Sequence, residues 1–193
     1  MTPVIKETPE NTNTAKQHQE NPLVELIKTL GLSIFLALGI RTFIAEARYI
    51  PSGSMLPTLQ INDRLIIDKV GYKFTAPARG DIVVFSPPDV LKQQYKDAFI
   101  KRIIGLPGDI VEVKEGKVYV NNQVLPEDYI AEHPNYHWGP DRIPPDQYLV
   151  LGDNRNNSYD SHYWGFVPRQ NIIGKAVVRF WPPNRLGEVD DSN

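Results

Sequence analysis

The sequence contains no cysteine, which excludes disulfides, thiolate nucleophiles and every cysteine-bearing zinc or iron–sulfur centre. This leaves the compartment open, because a chain without cysteine suits either redox environment. Basic charge is not in excess: 21 Lys and Arg against 23 Asp and Glu give a formal net charge of −2. A nucleic-acid partner needs a basic field, which this composition does not supply. Histidine is scarce, with only His18, His133, His137 and His162. His133 and His137 have the i, i+4 spacing of helical metal ligands, but Pro134 lies between them and no HExxH motif occurs. No metal or other cofactor is expected.

A long uninterrupted apolar run is also missing. The most apolar stretch, Leu23 to Ile44, is broken by Glu25, Lys28 and Arg41, so only the 12 residues Thr29 to Ile40 are free of charge. As a helix the whole stretch measures about 33 Å, and Lys28 and Arg41 can snorkel outward from its ends. Three readings stay open: a tilted membrane anchor, a buried core helix, and a cleaved signal peptide. The last is suggested by Ala45-Glu46-Ala47, an A-x-A-like tripeptide directly after the apolar run. Lysines before the stretch and arginines after it leave its orientation undecided.

With 193 residues, 41% of them hydrophobic, the chain suits one globular domain plus an extra segment. Residues 1–21 are polar and aperiodic and read as a disordered tail. Residues 22–47 hold the candidate anchor. Residues 48–184 read as a loop-rich antiparallel β domain, with a flexible tail expected over 185–193. Strand signals fall at 64–70, 81–86, 98–105, 109–125, 148–152 and 174–181, each rich in valine, isoleucine and aromatics and bounded by Gly, Pro or Asn. "VEVKEGKVYV" alternates on both sides of Glu115-Gly116, a hairpin signal. Residues 106–147 form an excursion from the main domain, and its part from 126 to 147 has no clear period.

Three stretches carry groups suited to chemistry. In "YIPSGSMLPTL" (49–59), two prolines fence a turn that presents Ser52 and Ser54, with Gly53 free to adopt positive φ. Such a turn can offer one hydroxyl as nucleophile, or it can simply be a polar turn. A serine nucleophile needs a base. His133, His137 or His162 with Asp153 or Asp160 would make a triad, whereas a lysine would have to be desolvated until neutral. In "AFIKRIIG" (98–105) Lys101 has apolar neighbours on its face of a strand, and so does Arg102. Arginine cannot lose its proton, so only Lys101 can serve as base; both can equally be edge-strand charges reaching to water. "GDNRNNSYDSHYWGFVP" (152–168) is a long run of turn-forming and hydrogen-bonding residues.

Taken in order, "IPSGSMLPTL", "DRLIIDKV", "RGDIVVFSPP", "FIKRIIGLPGDIV" and "GDNRNNSYDSHYWGFVP" resemble the type I bacterial signal peptidases, or leader peptidases, over about Arg41 to Pro168. The resemblance implies a mainly β, antiparallel catalytic domain behind one transmembrane helix. It also implies a serine endopeptidase that removes signal peptides from exported preproteins after A-x-A-like sites. By motif position, Ser54 would be the nucleophile and Lys101 the general base. Ser52 and the Ser54 backbone N–H would bind the oxyanion, and Ser158 would orient the lysine amine. Met55 would lie at the substrate, and Arg102, Asp153, Arg155 and Asp160 would be scaffold. His162 stands where arginine is common, and Asn156 where aspartate is. The partners implied are preprotein signal peptides and a lipid bilayer, with no nucleic acid, and a monomer is expected. The tail would be cytoplasmic and the domain on the far side of the cell membrane or of an internal one such as the thylakoid. Ala45-Glu46-Ala47 becomes a candidate self-cleavage site.

Overall fold

The structure, a computed structural model, describes residues 21–189. The polar tail, apart from Asn21, and residues 190–193 lie outside the described residues. The chain divides into two compact units, one up to Leu38 and one from Gly39 onward. Most of helix α1 (Pro22–Phe43) makes up the first. The side chain of Asn21 accepts the Leu23 N–H at 3.1 Å, which satisfies one of the free donors of the first turn. Thr29 and Ser33 donate their hydroxyls back to the carbonyls of Glu25 and Thr29 at 2.9 and 2.8 Å, so these polar groups are satisfied within the helix. No residue of α1 is buried, and leucine, isoleucine and phenylalanine project from it all round. With a mean hydropathy of 2.0, it is long and apolar enough to cross a membrane.

The second unit is antiparallel β throughout its two sheets, and the period-2 alternation of apolar side chains explains its layering. In β3 (Ile82–Phe85) every residue is buried: Ile82 and Val84 pack into one cluster with Leu65 and Ile67, while Val83 and Phe85 pack into another with Ile103 and Val150. A continuous "IVVF" run is what a strand covered on both faces requires. The main sheet has the order β1 (Ala45–Tyr49), β2 (Arg64–Asp68), β11 (Ile172–Trp181), β3, β4 (Phe99–Gly105), β9 (Gln147–Leu151), β10 (Val167–Pro168), with β12 (Gly187–Glu188) paired to β11. The second sheet has the order β7 (Gln123–Val124), β6 (Lys117–Val120), β5 (Ile110–Lys114), β8 (Trp138–Arg142). It seals a third cluster, in which Val111, Val113 and Val118 meet Ile104, Leu149 and Leu151. The expected hairpin is present: Glu115 and Gly116 have φ of 50° and 72°, the double left-handed turn that joins β5 to β6.

Several expectations about boundaries need correction. The helix ends at Phe43, and Ala45 to Tyr49 pair with Asp68 to Arg64, so the last residues assigned to the anchor are a strand of the β unit. The backbone of Ala45-Glu46-Ala47 is therefore engaged with β2, and its cleavage would require stripping β1 from the sheet. The flexible tail expected from residue 185 is, as far as Val189, held in place. Arg185 grips the buried carboxylate of Asp63 at 2.9 Å, Gly187 and Glu188 pair with β11, and Val189 is buried. The excursion contains a strand, β8, that its Gly, Pro and charged residues conceal. β4 is an interior strand, not an edge, and both Lys101 and Arg102 are buried.

β11 reaches three partners, and Gly174 is where it can do so. A Cβ there would lie 2.2 Å from the Asp68 carbonyl oxygen, a backbone atom that cannot move aside cheaply. Gly174→Ala is expected to cost about 1–3 kcal/mol, read as a lowered midpoint of thermal or denaturant unfolding. An unchanged midpoint would mean that the β11–β2 contact is looser than described.

Candidate active site

The turn between β1 and β2 carries Ser52 and Ser54. Met55 and Leu59 anchor it in the core, and Asp63 closes it by accepting the Gln60 N–H at 2.8 Å and the Arg185 guanidinium. Gly53 is not among the residues with positive φ; the turn is shaped by helix-like bonds, Leu56 N–H to Gly53 O at 3.1 Å and Leu59 N–H to Met55 O at 2.9 Å. Met55, expected at the substrate, is fully buried and belongs to the core cluster around Leu65.

β4 delivers Lys101 to this turn. Its Nζ lies 2.8 Å from Ser54 Oγ and donates to the Ile100 carbonyl at 2.9 Å, with the Phe99 ring 5.9 Å away. The side chain is only 4% exposed. Burial pulls its ammonium down from the ordinary 10.5 to about 8, while the carboxylates of Asp160 and Asp153 pull the other way. Ser52 Oγ is 3.4 Å from Ser54 Oγ. Ser158 is buried, and its hydroxyl has no hydrogen-bond partner among the described residues. The resemblance expects it on the lysine amine; in the structure the second contact of that amine is the Ile100 carbonyl. Ser158 is nonetheless adjacent to the turn, because a Cβ on Gly152 would lie 2.2 Å from Ser158 Oγ and 2.4 Å from the Ser54 carbonyl oxygen. Only a glycine fits between them.

The scaffold residues form two buried ion pairs. Arg102 forks onto Asp153, with Nε–Oδ1 at 2.9 Å and Nη2–Oδ2 at 2.8 Å, and Thr58 adds its hydroxyl to Asp153 at 2.6 Å. Arg155 forks onto Glu127 at 2.7 and 2.6 Å and holds the Gly152 carbonyl at 3.1 Å. Asp160 accepts the Gly152 N–H at 2.8 Å and contacts His162 Nδ1 at 2.7 Å. His162 is thus tied to Asp160 and stacked on Tyr136 at 4.1 Å; no histidine hydrogen-bonds Ser54 among the described residues.

Some of these partners had no signal in the sequence. Glu127 and Tyr129, whose ring lies 4.0 Å from the Arg102 guanidinium, come from the aperiodic excursion. Asn154 sews the loop to the turn, its backbone N–H on Ser54 O at 3.1 Å and its side chain on Gly53 O at 3.0 Å. It stood among the turn formers of the 152–168 run, with nothing to distinguish it. A cavity of about 490 Å³ opens over Ser52, Ser54, Lys101 and Ser158. Beside it runs a trough of about 310 Å³ between residues 46–51 and 97–100. Met55 lines neither.

Residues 23–181 match the family model described as signal peptidase, peptidase S26. The chain is 61% identical over 190 residues to "Signal peptidase I" of Leptolyngbya laminosa, covering 97% of this chain and 94% of that protein. It is 60% identical over 189 residues to "Probable signal peptidase I-2" of Synechocystis sp., covering 97% and 85%. It is 46% identical over 165 residues to "Probable thylakoidal processing peptidase 2, chloroplastic" of Arabidopsis thaliana, covering 84% and 45%. With most of its length matched by the family model and by relatives of this identity, the chain belongs to the signal peptidases of family S26.

Proposed function

We propose that this signal peptidase cuts preproteins after A-x-A-like sites by a Ser54/Lys101 dyad, anchored to its membrane by α1. The observation that carries the reading is the 2.8 Å contact between Ser54 Oγ and a lysine amine that is almost entirely buried. Neutral Lys101 accepts the Ser54 proton as Oγ attacks the scissile carbonyl. The negative charge on the carbonyl oxygen is met by the Ser54 backbone N–H and the Ser52 hydroxyl. The lysine ammonium then protonates the leaving amine, and a water activated by the same amine hydrolyses the ester. Ser158 supplies a hydroxyl that reaches the amine once the lysine carries charge.

The trough accounts for the substrate. β4 pairs with β9 only from Arg102 onward, and the outer edge of β1 has no partner strand among the described residues. An extended peptide can add as a strand to these backbone edges, and small side chains at alternate positions suit a shallow cleft. The outward apolar surface of α1 fits a single-pass anchor with the preceding tail in the cytoplasm and the β unit across the cell membrane. A thylakoid-type internal membrane is the second location, favoured by the 46% identity to a thylakoidal processing peptidase.

Ser54→Ala and Lys101→Ala are each expected to lower cleavage of an A-x-A preprotein by on the order of 10³-fold or more, measured as processed product on gels. Turnover surviving either change at the original rate sinks the dyad.

Because the reactive form is the neutral amine, kcat/KM is expected to rise about tenfold per pH unit below the Lys101 value and level off above about 8. The same group sets a stability trend. Its folded-state pKa lies below the unfolded one, so folding is penalised while the buried amine is charged, and the penalty fades as pH rises from about 8 towards 10.5. Lys101→Met is therefore expected to stabilise the fold at pH 7 by roughly 3 kcal/mol, the worth of such a shift at about 1.4 kcal/mol per pKa unit. The gain should shrink in unfolding curves taken at higher pH; a gain independent of pH would place it in packing instead.

A further inference from the structure

The cavity over the dyad has a wall that the proposed chemistry does not use. Phe99, Tyr95, Tyr159 and Tyr163 line it as a connected series of rings, with centroids 5.3 Å apart from Phe99 to Tyr95, 6.0 Å to Tyr159 and 5.4 Å to Tyr163. At its inner end the series is fixed to the core, since Phe99 also stacks on Trp164 at 6.5 Å and tilts against Phe85 at 5.9 Å. At its outer end it is open, with Tyr95, Tyr159 and Tyr163 exposed by 39%, 42% and 67%. Among the described residues no Asp, Glu or Arg lines this cavity, and Lys101 is the one basic residue in its lining.

The direction of the substrate follows from the lysine. Lys101 lines this cavity and not the neighbouring trough. The group that must receive a proton from Lys101 is the amine released when the peptide bond breaks, so the residues that follow the scissile bond leave through the tyrosine-lined side. The residues that precede it lie in the trough, and Phe99 lines both cavities where they meet.

Resting on the Ser54/Lys101 reading, we infer that the wall formed by Tyr95, Phe99, Tyr159 and Tyr163 is the binding site for the first residues of the released chain. It selects a flat aromatic side chain there and disfavours a carboxylate. Tyrosine supplies rigid contact area with few rotatable bonds, and its ring stacks on another ring in offset or tilted geometry. A carboxylate meets the negative faces of these rings and finds no arginine among the described residues that line the cavity. It also lies close enough to the amine to favour the charged, unreactive form of Lys101, adding to the pull of Asp160 and Asp153.

The test uses the full-length protein in detergent and peptides of one sequence with an A-x-A cleavage site. The first three residues after the cut are set to alanine, then replaced in turn by Phe or Asp. At one or two of these positions Phe is expected to raise kcat/KM about three- to tenfold, the scale of one stacked ring pair, and Asp to lower it. Asp should also move the acid limb of the pH–rate profile upward, which a purely steric mismatch would not do. The ratio of Phe to Ala peptides should fall to within about twofold in Tyr95→Ala/Tyr159→Ala and persist in Tyr95→Phe/Tyr159→Phe, which keeps the rings. A wild-type enzyme indifferent to all three positions, or a preference unchanged by loss of the rings, overturns the subsite while leaving the dyad intact. Failure of wild type to cut any of the peptides would instead overturn the dyad reading, and the subsite with it.

Discussion

The proposed chemistry depends on one amine that can shed its charge in a neighbourhood that contains two buried carboxylates. The charges of Asp160 and Asp153 favour the ammonium form of Lys101, and burial opposes them more strongly. The surrounding structure answers by engaging each carboxylate elsewhere. Asp153 is saturated by the Arg102 fork and the Thr58 hydroxyl; Asp160 is occupied by the Gly152 N–H and by His162. Each carboxylate that opposes the desolvation of the amine therefore has partners of its own. Arg102 directly follows Lys101 on β4, so alternation sends the two cations to opposite faces: one desolvated beside Ser54, the other committed to a carboxylate.

The same logic explains which parts of the molecule were legible in the sequence. β3, β4, β5 and β9 have apolar side chains at period 2 or in continuous runs, and Gly116 suits the positive φ of the turn that joins β5 to β6. β1, β8 and β12 escaped notice because what makes each a strand is its partner. "AEARY" sits beside an apolar helix, "WGPDR" contains Gly and Pro, and β12 has two residues, fixed by β11 and by the Arg185–Asp63 pair. Ser54 and Lys101 are 47 positions apart, and no local pattern says that they touch. It was the order of several motifs that joined them, and the 2.8 Å contact is the physical content of that order.

Asn156 and His162, where the resemblance leads one to expect aspartate and arginine, meet the same segment. Asn156 accepts the Asn135 N–H at 2.8 Å and donates to the His133 carbonyl at 3.0 Å, while His162 lies under Tyr136. Directly before His133, Glu132 contacts Asn156, and further towards the N-terminus of this segment Glu127 pairs with Arg155. The excursion therefore forms the outer wall of the loop that carries Ser158, and Asn156 and His162 meet its backbone groups and an aromatic ring. Sequence reasoning could flag the departures but could not see what they face, since residues 126–147 show no period.

Two hydroxyls in the site are underused, and the proposed mechanism explains why. Ser52 reaches Ser54 only at 3.4 Å, and Ser158 is buried with no partner among the described residues. An unsatisfied buried hydroxyl costs free energy, so a site built for stability alone would bond or remove it. Interactions that form only as charge develops lower the barrier, whereas those already made in the resting enzyme stabilise the ground state equally and accelerate nothing. In that mechanism a Ser52 hydroxyl held only by the long contact to Ser54 can turn to the oxyanion when it appears, and the Ser158 hydroxyl can accept from the amine once Lys101 has taken the proton. Both gains are realised within a backbone that Gly152, Asn154 and the Asp153–Arg102 pair already hold in place, so little reorganisation accompanies the charge transfer.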